Sequence, residues 1–217
     1  MPELEFQIAG VAPVRDLATP ALAFDLRITN RMEQQAVHAI LLRCQIQIEA
    51  PRRRYNPREK EELRDLFGEP ERWSQTLQPL LWANINANVP AFTGSVVYPV
   101  SVPCTFDLTV ASAKYFHALE DGEVPVTFLF SGTVFYDLGQ TGFQVAPVPW
   151  NKEARFRLPA SVWKELMDLH YPNAAWLPLR RDVFDALYRF KVKEGLASFE
   201  ETVERLLVKA AEPVEAL

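Results

Sequence analysis

The sequence predicts a mainly β protein with α-helices: an antiparallel β-sandwich of seven or eight strands, with a helical insertion and a C-terminal helical tail. Three observations predict this fold. Apolar residues alternate with polar ones in several long stretches. Turn-forming residues separate those stretches. In two other regions the apolar residues follow the helical period, and residues that cap helices precede them. The predicted sandwich covers residues 1–158 with the insertion at about 56–90, and residues 159–217 form a helical tail packed on it.

The first fifty residues are predicted to form strands. Apolar residues occupy every second position from Leu22 to Ile28, and residues 37–49 repeat the alternation. A period of two places one face in the core and the other in solvent. Cys44 falls in the apolar row of the second stretch, and Cys104 falls in a later one. Both cysteines are therefore expected to be inert core residues.

A helical insertion is predicted next. Asn56 is a suitable N-cap, Pro57 a suitable first helical residue, and Glu59 completes a capping box. Gly68 supplies a stop. Apolar residues from Trp73 onward follow a helical spacing, so the insertion is predicted to continue to about residue 90.

Strands are predicted to resume after the insertion and to give way to three helices. The turn signals are Glu120–Glu123 and Gly139–Gly142. The predicted strands cover residues 104–110, 124–136, 143–150 and 154–158. The helices are predicted from the stripe Val162, Leu166 and Leu169, from residues 182–194 closed by Gly195, and from the capping box Ser198–Glu201.

Composition excludes several classes of function. A net charge of −5 is not that of a general nucleic-acid binder, which needs a basic face. The longest apolar stretch, residues 124–135, is too short to span a bilayer, and the N-terminus has no basic segment typical of a secretory signal. Two cysteines outside any CxxC pattern favour a reduced, cytoplasmic protein.

The motifs of the common catalytic sites are absent from the sequence. His38, His117 and His170 are isolated, and no HExxH, GxGxxG, GxxxxGK or GxSxG motif occurs. Eight dispersed glycines leave little for a phosphate-binding loop. We therefore expect no catalytic residue, metal or cofactor. A hydrolase whose site joins one histidine to a Ser, Cys or carboxylate stays open as an alternative, as does a metal site joining both cysteines to a histidine.

Two features indicate a surface that binds a partner. Arg52, Arg53, Arg54 and Tyr55 form a basic cluster that could contact an anion or an acidic protein, or could pair with the acids of the next helix. The five tryptophans could be interface anchors, a stacking platform for sugar rings, or packing residues that fix the helices to the sandwich. The candidate partner-binding residues are Arg52, Arg53, Arg54, Tyr55, Arg72, Trp73 and Trp82.

Nine ordered segments make the chain resemble a known family. They are His38–Ile48, Arg52–Tyr55, Leu66–Trp73, Pro79–Trp82, Phe92–Gly94, Lys114–Phe116, Phe128–Thr133, Pro147–Trp150 and Leu179–Asp182. Together they resemble a bacterial family of unknown function, common in actinobacteria, over nearly the whole chain. The resemblance implies a genetic context, because genes of this family often lie beside those of nickel–iron hydrogenases of the oxygen-tolerant, hydrogen-scavenging kind. It implies no catalytic or binding residues.

The function expected from these observations is that of a non-enzymatic, cytoplasmic accessory protein. It would act by protein–protein contact in hydrogenase assembly, maturation or attachment, with a hydrogenase subunit or a maturation factor as its partner. The alternative is a β-sandwich module that binds a small ligand or a carbohydrate through exposed tryptophans.

Overall fold

Eight strands form two antiparallel sheets in this computed structural model, which describes residues 1–137 and 142–211. The alternation of apolar and polar residues is the physical reason for the strands, and the predicted mainly β architecture is confirmed. The strands are β1 (Leu4–Pro13), β2 (Ala21–Asn30), β3 (Val37–Ile48), β4 (Leu80–Val89), β5 (Ser95–Pro103), β6 (Glu123–Asp137), β7 (Phe143–Pro147) and β8 (Glu153–Pro159).

The fifteen-residue strand β6 organises the larger sheet. One sheet has the order β1-β2-β5, and the other has the order β4-β3-β6-β7. Strand β6 pairs with β3 along one edge, while its other edge pairs first with β8 and then with β7. Of the turn predicted at Gly139–Gly142, residues 139–141 lie outside the described residues.

The core lies between the two sheets and is built from the inward rows of the strands. In β2 the row from Leu22 to Ile28 is fully buried, and in β3 the row from Ile40 to Ile48 is buried throughout. Cys44 is part of this row, which confirms it as a core residue. Phe24 meets Phe128 edge to face with ring centroids 5.1 Å apart, an arrangement that favours aromatic packing.

Seven helices lie in the described residues, in addition to short 3₁₀ turns. They are α1 (Pro57–Glu62), α2 (Arg64–Phe67), α3 (Trp73–Thr76), α4 (Ala111–His117), α5 (Ala160–His170), α6 (Arg181–Glu194) and α7 (Phe199–Ala211). None of the described helices has the length and apolarity needed to cross a membrane.

The described chain divides into two compact units, Met1–Trp176 and Leu177–Leu217. The first unit extends beyond the predicted boundary at residue 158, because α5 contacts strands β1 and β2 and buries Trp163 and Leu166. The second unit contains α6 and α7. Its packing on the sandwich stays a prediction.

The predicted extent of the helical insertion is wrong. Helices end at Thr76, and residues 80–89 form strand β4 instead. Asn84, Asn86 and Asn88 are exposed there, and each pairs with a residue of β3. Pairing with an already buried strand therefore overrides the helical spacing of the leucines.

The strand predicted over residues 104–110 is also wrong. The Asp107 carboxylate accepts hydrogen bonds from the backbone N–H (2.9 Å) and the hydroxyl (2.8 Å) of Thr109. The Thr105 hydroxyl accepts another from the Asp107 N–H at 3.0 Å. These local bonds close a turn that leads into α4, and such bonds compete with sheet pairing.

One glycine of β6 is required by the approach of β3. Gly132 has a φ of +140°, and a Cβ on it would lie 2.0 Å from the carbonyl oxygen of Leu41. No side chain fits there without moving the backbone of the neighbouring strand.

We therefore expect Gly132→Ala to lower the free energy of unfolding by at least about 3 kcal/mol, through backbone strain and overpacking together. Gly10→Ala is the matched control in β1. Its Cβ would meet only the movable Asp25 carboxylate at 3.3 Å, so its cost should stay below about 1 kcal/mol. Urea unfolding followed by fluorescence measures both values, and equal losses would contradict the argument.

Candidate functional site

The predicted arginine cluster is divided by the fold into one buried residue and two exposed ones. The Arg53 side chain is 8% exposed and the Glu59 side chain is 3% exposed. The Arg53 guanidinium donates to both carboxylate oxygens of Glu59, at 2.9 and 2.8 Å, and also to the carbonyl of Asp121. A bidentate pair of this kind fixes the geometry of both partners. Arg53 is therefore part of the interior rather than of a contact surface.

Glu59 is held in place by the start of helix α1. Its N–H donates to the Asn56 side chain at 2.9 Å, and the Asn56 N–H donates back to the Glu59 carboxylate at 3.1 Å. This confirms the predicted capping box. The N–H of Glu120 donates to the same carboxylate at 3.0 Å. Burial alone would raise the pKa of Glu59, but Arg53 and these backbone donors outweigh it and hold the pKa below its usual range.

Tyr55 and Trp73 also serve the interior. The Tyr55 hydroxyl donates to the carbonyl of Ala50 and shares a hydrogen bond with the hydroxyl of Tyr115, both at 2.7 Å. Burial raises the pKa of Tyr55 to about 12. The Trp73 indole meets the Tyr55 ring edge to face at 5.4 Å and donates to the carbonyl of Gly68 at 2.9 Å. Their polar atoms are thus already paired inside the protein.

The remaining candidates differ in exposure. Trp82 is half-buried and packs against Phe116, with ring centroids 5.0 Å apart. Arg52, Arg54 and Arg72 are exposed. Of the predicted partner-binding set, these three arginines are the side chains that a partner can reach most readily.

Arg52 borders a groove of about 440 Å³ on the outer face of the larger sheet. Strand β6 provides Pro125 and Thr127, and the register of β8 places Arg157 opposite Pro125 and Arg155 opposite Thr127. The lining residues are Glu49, Arg52, Pro125, Val126, Thr127, Arg155, Phe156 and Arg157. Three guanidinium groups therefore surround one groove, and we call it the arginine groove.

Sequence reasoning did not find Arg155 and Arg157. They occupy alternate positions of a short strand, which places them on the same face. Their approach to Arg52 depends on the pairing of β6 with both β3 and β8. The period of two was visible in the sequence, but the pairing was not.

The second compact unit carries many exposed apolar side chains. Within it Phe199 of α7 packs against Phe184 and Tyr188 of α6, with ring centroids 5.3 and 6.4 Å apart. Of its described residues, Thr202 is buried and no apolar side chain is. The exposed large apolar residues are Leu177, Leu179, Val183, Phe184, Tyr188, Val192, Phe199, Val203, Leu206, Leu207 and Val208. We call this set the apolar tail surface.

The other tryptophans fall into two groups. Trp163 is buried against Phe116, whereas Trp150 is 93% exposed and Trp176 is more than half exposed. Trp150 immediately precedes Asn151 and Lys152, which line a second, polar groove of about 420 Å³. Trp73, Trp82 and Trp163 thus serve packing, whereas Trp150 and Trp176 are open to solvent.

The histidines and cysteines occupy unrelated places. In the described residues no three His, Cys, Asp or Glu side chains are grouped so that they could hold a metal ion. The two ring nitrogens of His170 lie within hydrogen-bonding distance of the carbonyl oxygens of Leu166 and Leu17, at 3.0 and 3.3 Å. Burial raises the pKa of Cys44 and of Cys104 to about 12, so neither is a ready nucleophile.

Comparison with known families assigns the chain. The model of DUF6084, a family of unknown function, matches residues 1–215. The chain belongs to DUF6084. A search of curated proteins finds no match. Because the DUF6084 match spans both compact units, the sandwich and the tail are parts of one family unit, and the expected resemblance to a family of unknown function is confirmed.

In this DUF6084 chain we expect Arg53→Ala to lower the free energy of unfolding by about 3–5 kcal/mol, because it leaves the buried Glu59 carboxylate without its cation. Arg52→Ala removes a half-exposed guanidinium that lies 3.5 Å from the Glu49 carboxylate and should cost no more than about 1 kcal/mol. Urea unfolding measures both. A small effect of Arg53→Ala on the free energy of unfolding would show that the ion pair does not stabilise the fold.

The lowered pKa of Glu59 also predicts a pH dependence. The unfolded chain takes up the proton first, near pH 4.3 (roughly the ordinary value for glutamate), so the stabilisation by Glu59 is complete above that pH. The free-energy difference between the wild-type chain and Glu59→Gln should therefore be largest near neutral pH and shrink as the pH falls toward the lower pKa of the folded state. Urea unfolding across the acid range tests this. Glu61→Gln controls for the loss of one charge. A free-energy difference between the wild-type chain and Glu59→Gln that does not change with pH would refute the prediction.

Proposed function

We propose that the chain is a non-enzymatic accessory protein that acts in the cytoplasm by protein–protein contact, in nickel–iron hydrogenase assembly, maturation or attachment. The observation that carries the contact part of the proposal is the apolar tail surface, most of which lies on α6 and α7. The hydrogenase context is supported by the family resemblance of the sequence. The partner would be a hydrogenase subunit or a maturation factor.

The physical argument for contact starts from the two helices of the tail. They have fourteen and thirteen residues, a length at which an isolated helix is marginal in water. Helices of proteins gain most of their stability by burying an apolar face. Val192 and Leu207 nevertheless stay more than half exposed. Apolar side chains exposed in such number are typical of protein-binding sites.

The non-enzymatic part of the proposal is supported by the state of the potential nucleophiles. Both thiols have a pKa of about 12. His170 is engaged by backbone carbonyls, and the His38 ring packs on Phe143 with centroids 5.6 Å apart. A Cys–His or Ser–His pair needs a free imidazole beside its nucleophile. The ring nitrogens of His170 are engaged by backbone carbonyls, and the ring face of His38 is covered by Phe143.

Co-purification tests the proposal. A tagged full-length chain, recovered from cells that make the hydrogenase, should retain a hydrogenase subunit or a maturation factor. Val192→Lys combined with Leu207→Lys should reduce that recovery at least about tenfold, because charging an apolar contact costs more than about 1.4 kcal/mol. Leu81→Lys combined with Val97→Lys is the matched control, since both residues are exposed apolar side chains on strands of the first unit.

Two results would contradict the proposal. Recovery of neither kind of partner by the wild-type chain would remove the hydrogenase context. Equal recovery by the tail variant and the strand variant would remove the apolar tail surface as the contact.

A carbohydrate-binding module is the second candidate function, and Trp150 favours it. Its indole is nearly fully exposed, and the next two residues of the chain, Asn151 and Lys152, line the polar groove. Glu5, Gln7 and Arg27 line the same groove. Exposed aromatic rings beside hydrogen-bonding groups suit a ligand with one apolar and one polar face. The co-purification experiment separates the two candidates, because a sugar-binding module would retain no hydrogenase partner.

A further inference from the structure

The arginine groove has a charge opposite to that of the whole chain. Its lining contains three arginines and one glutamate, whereas the chain has a net charge of −5. A local excess of positive charge on an acidic protein selects a negatively charged ligand and speeds its association.

The three guanidinium groups are accessible. Arg52 and Arg157 are loosely paired, whereas Arg155 pairs with the exposed Glu153 carboxylate at 2.9 Å. Arg155 and Arg157 side chains are 64% and 71% exposed, and that of Arg52 is 53% exposed. Arg52 lies 3.5 Å from the Glu49 carboxylate and Arg157 lies 3.6 Å from that of Glu123. Both distances exceed the 2.7–2.9 Å (roughly) of a charge-assisted hydrogen bond. Exposed pairs of this kind contribute little and exchange readily with an incoming anion.

The spacing of the arginines indicates the form of the ligand. Arg155 and Arg157 are two residues apart on one face of β8, which separates them by about 6.7 Å along the strand. An extended peptide presents alternate side chains at the same period. Carboxylates at alternate positions of an extended segment can therefore meet both guanidinium groups, each through a bidentate contact.

The rest of the lining favours a peptide over a nucleic acid. Phe156 is half-buried and meets Phe24 edge to face at 6.0 Å, so its ring is engaged by the core. Single-stranded nucleic acids are usually bound by free aromatic faces on which bases stack. The overall negative charge also opposes a long polyanion.

We propose that the arginine groove binds an extended acidic segment of a protein, with carboxylates at alternate positions. This inference deepens the proposed function and rests on it, because the acidic segment would belong to the protein partner. It adds a second surface, chemically distinct from the apolar tail surface.

Fluorescence anisotropy of the purified full-length chain with a labelled peptide tests the inference. The probe is a seven-residue peptide in which Glu alternates with Thr, and its control replaces every Glu by Gln. The Glu peptide should bind at low salt and weaken as salt rises from about 0.05 M to about 0.3 M. Arg155→Gln combined with Arg157→Gln should weaken binding at least about tenfold.

Arg43→Gln is the matched control variant. Arg43 is an exposed arginine on the outer face of the same sheet, paired in register with Ser131, and it does not line the groove. Its substitution should change the affinity less than about twofold. Circular dichroism and the urea midpoint of each variant confirm that it is folded.

Several outcomes would overturn the inference. They are an absence of binding by the wild-type chain, equal binding of the Glu and Gln peptides, and unchanged affinity of the double variant. Displacement of the probe by oligothymidylate at lower concentration than by unlabelled Glu peptide would assign the groove to nucleic acid. Failure of peptide binding with normal recovery of a partner would leave the proposed function standing. Peptide binding without recovery of a hydrogenase partner would contradict the proposed function and retain the groove.

Discussion

The buried ion pair between Arg53 and Glu59 is the constraint on which the rest of the first unit depends. Glu59 accepts four hydrogen bonds, from the Arg53 guanidinium and from the backbone of Asn56 and Glu120. A buried pair repays its desolvation only when the remaining lone pairs are satisfied, and here they are. The bonds join the end of β3, the start of α1 and the turn before β6. Because β6 pairs with β3, β7 and β8, the position of that turn fixes the larger sheet.

The Arg53–Glu59 ion pair also explains why neighbouring arginines of the sequence have different roles. Arg53 has an extended backbone at the end of a short 3₁₀ turn, and its side chain is turned inward to Glu59. Arg52, one residue earlier, stays exposed at the arginine groove. The local geometry that closes the interior therefore also places a cation on the outer face of the sheet. The turn that buries Arg53 therefore also positions Arg52 at the candidate site.

The sequence contains enough information for the elements that follow a single period. The alternation in β2, β3 and β6 is unambiguous, and the capping box at Asn56 and Glu59 specifies the start of α1. The sequence predicts a helix over strand β4 because its leucines fit a helical spacing, although Asn84, Asn86 and Asn88 alternate with apolar residues. The helical period and the period of two are both present in this segment, and only pairing with β3 decides between them. The arginine groove could not be predicted for the same reason, since its arginines meet through strand register rather than through sequence proximity.

The apolar tail surface and the arginine groove would contribute differently to binding, because one is apolar and the other is charged. In the proposed interaction, apolar contact at α6 and α7 would supply affinity that salt hardly affects, but it would discriminate poorly between apolar partners. Charged contact at the arginine groove would contribute less affinity, because exposed ion pairs are weak, yet it would select a partner by the sign and spacing of its charges. Two modest contacts on one chain reinforce each other, since the first to form raises the effective concentration at the second. A partner that combines an apolar patch with an acidic extended segment would therefore be recognised over one that has either feature alone.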